Sequence, residues 1–202
     1  MGKKILLLAV LALALPIAAF ANSGVDFINS GGTLSGTNSG LSLSGSTLAA
    51  VNGLNGGGLI TGNLGSVTFS TGALSSGSLQ MGGTFAAGGT FTVTGNGTNG
   101  IPNGTLFSGT FSGPVTWQLV TLANGTHNYI LTGVLTGTTM SGFSTNGVTV
   151  QLTINTGKSF FNGSTTISSG DTNIVVPEPG TLSLLGTGLI TLAGAVRRKL
   201  KA

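Results

Sequence analysis

Val115-Thr116-Trp117-Gln118-Leu119-Val120-Thr121-Leu122, then Ala123-Asn124-Gly125-Thr126, then His127-Asn128-Tyr129-Ile130-Leu131-Thr132-Gly133-Val134-Leu135: this stretch decides the fold. Val115, Trp117 and Leu119 alternate with Thr116 and Gln118, a period of two that places apolar side chains on one face of an extended strand and polar ones on the other. Asn124-Gly125 tolerates the positive φ that a tight reversal demands, so the segment predicts two antiparallel strands joined by a turn. The same alternation recurs at Val67 and Phe69, at Phe91 and Val93, and at Val148, Val150, Leu152 and Ile154. Further Asn-Gly pairs at 96–97, 103–104, 146–147 and 162–163 predict chain reversals between these strands. No helical pattern of comparable length interrupts the series, which reads as an all-β fold, an antiparallel β-sandwich or barrel-like domain. A β-solenoid is the alternative, because residues 82–94 look loosely repetitive, although no fixed spacing persists.

Composition supports a folded body rather than a linker. Residues 22–176 are rich in Gly, Ser, Thr and Asn, yet they hold nine of the ten Phe residues together with many Val, Ile and Leu. Disordered chains lack such apolar groups. The body's charged side chains are Asp26, Lys158 and Asp171, so the net charge of +4 belongs to the two ends and gives no ground for a nucleic-acid surface. Cysteine is absent, which excludes disulfides, thiolate metal sites and thiol nucleophiles. With so few lysines to discourage pairing between molecules, either the strand edges are covered or lateral association is part of the function.

Several patterns resemble chemistry without supporting it. Gly95, Gly97 and Gly100 have dinucleotide-loop spacing, but Ile101-Pro102-Asn103-Gly104 follows where a helix is required. Gly157-Lys158-Ser159 ends like a phosphate loop, but the earlier glycine is replaced by Leu152, which leaves Lys158 a solvated turn residue. His127, the sole histidine, needs a carboxylate partner to act as a base or a metal ligand, and Asp26 and Asp171 lie far from it in sequence. A hydrolase built on His127 therefore requires side chains from distant segments to converge, and a paired-carboxylate glycosidase requires Asp26 and Asp171 to flank a cleft. The residues indicate no catalytic set, no metal site and no cofactor. Asn-Gly-Thr and Asn-Gly-Ser triplets follow from Asn-Gly turns in a Thr-rich chain and assign no glycosylation sites. Trp117 and Tyr129 have two readings: an interior cross-strand pair, or an aromatic platform for stacking a sugar.

Both ends stand apart from the body. Lys3 and Lys4, an apolar stretch from Ile5 to Leu15, and Ala19-Phe20-Ala21 form the charged, apolar and small-residue regions of a signal peptide spanning 1–21. At the other end, 177–202 opens with Pro177, Glu178 and Pro179. It continues through an uncharged run, 181–196, and closes with Arg197, Arg198, Lys199 and Lys201. Sixteen residues of helix would span about 24 Å, short of the ~30 Å hydrocarbon layer without help from flanking residues. The basic cluster favours a short transmembrane helix whose end stays on the cytoplasmic side. Two prolines keep the backbone around Glu178 extended, leaving that carboxylate on display.

This ending, from Val176 to Ala202, resembles the PEP-CTERM sorting signal of Gram-negative bacteria. The resemblance implies an exported protein with three successive partners: signal peptidase, the inner membrane, and an exosortase-like membrane processing enzyme. It implies a final location in the cell envelope, at the cell surface or in the extracellular matrix of biofilm or exopolysaccharide-producing cells. The body is then expected to be non-enzymatic, with polysaccharide as a partner met through neutral hydrogen bonds. The alternative is a carbohydrate-binding module using Trp117 and Tyr129.

Overall fold

The computed structural model describes residues 24–175, and the 115–135 segment forms the expected hairpin within it. In chain order the strands are β1 (Gly24–Ser30), β2 (Thr33–Thr37), β3 (Gly40–Asn52), β4 (Ile60–Thr61), β5 (Gly65–Ser70), β6 (Leu74–Ser78) and β7 (Gly82–Phe85). They continue as β8 (Gly88–Asn96), β9 (Asn103–Phe111), β10 (Val115–Thr121), β11 (His127–Thr139), β12 (Ser144–Asn155), β13 (Ser164–Thr166) and β14 (Ser169–Val175). One 3-10 turn, Leu54–Gly56, is the only helical element among the described residues.

Of the three architectures the sequence left open, sandwich, barrel and solenoid, the chain adopts the barrel. β12 pairs with β11 on one side and β14 on the other, closing a ring of β1, β3, β5, β8, β9, β11, β12 and β14. Every pairing in the ring is antiparallel, as an even number of strands permits, and no solenoid coil forms. β10, β7 and β6 extend from β11 as a side sheet, while β2 and β13 form a second flap on β3.

Alternation explains why the ring closes around a packed interior. Val25, Phe27 and Asn29 of β1 are buried while Asp26 and Ile28 face outward, and Val148, Val150, Leu152 and Ile154 do the same on β12. An eight-stranded barrel is just wide enough for side chains to fill. Phe69, Phe91, Phe107 and Phe111 meet there, with Phe69 and Phe91 stacked at 6.1 Å and Phe111 edge-on to both. The outer face of the ring carries mainly Thr, Ser, Gln, Asn and Asp, interrupted by Ile28, Ile130 and Val134, and so lacks the continuous apolar belt of a membrane-spanning barrel. Closure also gives each of the eight strands two neighbours, so the paired edges of the ring are covered.

β11 is longer than any one partner. It pairs with β10 from His127 to Thr132 and with β9 from Leu135 to Thr139, so the wall forks at Gly133 and Val134. The connection from β9 to β10 turns at this fork, where the Ser112 amide donates to the Val134 carbonyl at 2.9 Å.

Two predicted reversals are corrected. Asn103-Gly104 opens β9, paired with Asn96 and Gly95 of β8. Asn146-Gly147 lies inside β12, where Gly147 is the extra residue of a bulge between the Thr136–Asn146 and Leu135–Val148 pairs. At φ 78° Gly147 uses the same left-handed freedom a turn requires, which is why sequence alone cannot separate the two uses. The actual β11–β12 reversal is Met140-Ser141-Gly142-Phe143, closed by the Gly142 amide donating to the Thr139 carbonyl at 2.9 Å. The signal peptide and the transmembrane helix expected from the sequence lie outside the described residues.

Candidate functional site

Chain register, not sequence proximity, assembles the outer-face site. Thr116, Thr132, Gln151 and Asp171 are successive partners across β10, β11, β12 and β14, and Asp171 is opposite Ile28 of β1. The next row joins Val134, Thr149, Asn173, Asp26 and Asn52 across β11, β12, β14, β1 and β3. Asp26 and Asp171 are therefore diagonal neighbours on one face, although 144 positions separate them in sequence (171 − 26 − 1). These are the body's two acids, brought onto a single patch.

The patch is electrostatically unusual for so neutral a protein. Burial first, then a hydrogen bond with Asp171 and the charge there, together push the Asp26 carboxyl up from its ordinary 3.8 to about 7. Oδ1 of Asp26 is buried without a hydrogen-bond donor. Two ionised carboxylates have no proton to share, so a proton on Asp26 turns repulsion into a hydrogen bond. Beside the pair, a groove of about 450 Å³ runs to the fork in the wall, where Pro114 and Val134 meet Thr132, Gln151, Asp171 and Asn173. Val134 is 41% exposed, giving this otherwise polar groove an apolar ledge.

Trp117 and Tyr129 are not on this face. Their exposures are 1% and 0%, and the rings stack at 4.7 Å with 15° between planes, which overturns the sugar-platform reading. Their polar ends are also occupied. Trp117 Nε1 donates to the Leu79 carbonyl at 2.8 Å, Tyr129 Oη donates to the Gln80 carbonyl at 2.6 Å, and the Phe161 amide donates to Tyr129 Oη at 3.1 Å. The pair pins the β6–β7 turn and the loop after β12 onto the barrel; no ring face is left for a ligand.

His127 opens β11 on the same inward parity as Tyr129 and Leu131, opposite to Thr132 in the acidic row. It is 9% exposed, stacks on Phe160 at 4.3 Å, and places Nδ1 3.1 Å from Thr121 Oγ1. The structure thus joins Asp26 to Asp171 and leaves His127 on the other face. Lys158 is exposed in the turn following β12. Residues 97–102, the glycine-rich loop, lead from β8 into β9, so no helix stands ready to meet a phosphate. No group of three or more His, Asp or Glu side chains able to hold a metal occurs among the described residues. The sorting residues Pro177, Glu178 and Pro179 and the basic tail lie outside the described residues.

A nearly uncharged closed barrel, followed in sequence by a proline-framed glutamate, an apolar run and a basic terminus, defines a class of exported protein that carries its own address. The family model of the PEP-CTERM protein-sorting motif matches residues 175–199. The chain carries a PEP-CTERM sorting signal: it is an exported protein, processed by an exosortase-type membrane enzyme and directed to the cell envelope or surface. Comparison with curated proteins and with solved structures returned no match.

Proposed function

We propose that the protein is a non-enzymatic component of the cell surface or extracellular matrix, associated with exopolysaccharide in a biofilm. The observation that carries this reading is the sorting motif following a barrel whose outer face is built from hydroxyl and amide side chains. Such groups exchange hydrogen bonds with a hydrated, uncharged polymer without the cost of desolvating ions. The inward parity of His127, opposite to that of the two acids, lends no support to a hydrolase built on His127.

The test follows the protein in its own cells. Mass spectrometry of the mature protein from the matrix fraction is expected to find both ends removed. Glu178→Ala and deletion of residues 181–202 are each expected to abolish processing and shift the protein out of that fraction. Unchanged processing and location in both variants would refute the reading.

A further inference from the structure

We propose that the groove at the forked wall binds a neutral glycan strand, with Gln151, Asn173 and Asp171 bonding its hydroxyls and Val134 and Pro114 supporting its C–H faces. This assignment rests on the polysaccharide reading above and names the place and chemical class of that contact.

Three features select this ligand class. Primary amides at Gln151 and Asn173 donate and accept at once, matching a hydroxyl that does both, and Asp171 adds an acceptor at the adjoining position in the Gln151 row. Pro114 and the exposed Val134 supply an apolar ledge at the fork, so the groove is amphipathic as a sugar ring is. The third feature is charge. Lys158, the described body's cation, lies in the turn after β12 and not among the groove's lining residues, while Asp171, the acid that lines the groove, disfavours a polyanion. From β10 to β14 the groove's lining crosses three strand spacings, about 14 Å, enough for a short run of sugar units to lie across the strands.

The test is native affinity electrophoresis of the mature protein in gels containing hydroxyethylcellulose, alginate, or polysaccharide extracted from the protein's own matrix. Retardation by hydroxyethylcellulose and by the extract, with none by alginate, is expected. The double variant Gln151→Ala/Asn173→Ala should weaken it about tenfold or more, the scale of one to two net hydrogen bonds. Thr132→Arg, which fills the groove, should act similarly, and Thr68→Ala on the outer face of β5 should leave binding unchanged. All four positions are exposed, and a thermal melt of each variant verifies the fold. Equal retardation of wild type and both groove variants, or preference for alginate, overturns the groove while leaving polysaccharide association standing. Failure of the wild-type protein to bind any of the three polymers overturns the association itself, and the groove with it.

Discussion

At the scale of single residues, Asp26 is the group whose chemistry departs furthest from its ordinary behaviour. Its carboxyl is raised to about 7, so between about pH 4 and pH 7 the folded chain holds a proton that the unfolded chain has released. The contribution of Asp26 to stability is therefore complete below about pH 4 and is lost as pH rises through 7. Asp26→Asn removes that loss. At pH 8 the variant should melt about 2–4 °C above wild type, of order 1 kcal/mol once solvent screening of this partly exposed pair is allowed for, and the two should converge near pH 4. Melting curves by circular dichroism across this range check it; a wild-type curve that rises between pH 4 and pH 8 relative to the variant would contradict the proton on Asp26. Little of this was visible in the sequence, where the acids stand at opposite ends of the body. Trp117 and Tyr129 were more legible, because both follow the apolar parity of their strands. What parity left open was their polar atoms, which only the carbonyls of Leu79 and Gln80 and the amide of Phe161 satisfy.

At the scale of elements, β12 shows where local reading succeeds and where it stops. Val148, Val150, Leu152 and Ile154 identified the strand and its buried face. Asn146-Gly147 suggested a turn before it, yet the strand begins earlier, at Ser144, and absorbs the pair as a bulge. A bulge and a turn ask the same of glycine, namely a backbone region that side chains rarely enter; the choice depends on whether a partner strand continues alongside, as β11 does here. Gly147→Ala should accordingly cost about 1–2 kcal/mol from backbone strain alone, since φ is 78° and no atom lies within 4 Å of the added methyl. Gly113→Ala also meets open space but does not have a positive φ, and should change stability by less than about 0.5 kcal/mol or raise it slightly. Urea midpoints of the two variants isolate the strain, because crowding is absent from both; equal effects would remove the bulge explanation.

At the scale of the whole molecule, closure does what composition could not. A chain with almost no charge to guard its strand edges leaves the eight ring strands no free edge and confines the remaining edges to the shorter strands β4, β6 and β13. β14 is the closing element, bonded to β1 and to β12, so a chain ending at Ser168 would expose a full edge on each. That truncation should shift the protein from a discrete species to aggregates in size-exclusion chromatography, whereas a soluble, compact truncated product would show that closure is dispensable. The sequence by itself determined the periodicity of two, the all-β class and the sorting motif, because each is written in neighbouring residues: alternation within a strand, and a proline-glutamate-proline stretch beside an apolar run and a basic cluster. Only the tertiary structure decided on a barrel, the pairing of the Trp117 and Tyr129 polar atoms with Leu79, Gln80 and Phe161, and the meeting of Asp26 with Asp171. Those depend on which strands pair and in what register, a balance of burial and hydrogen bonding summed over segments more than a hundred residues apart.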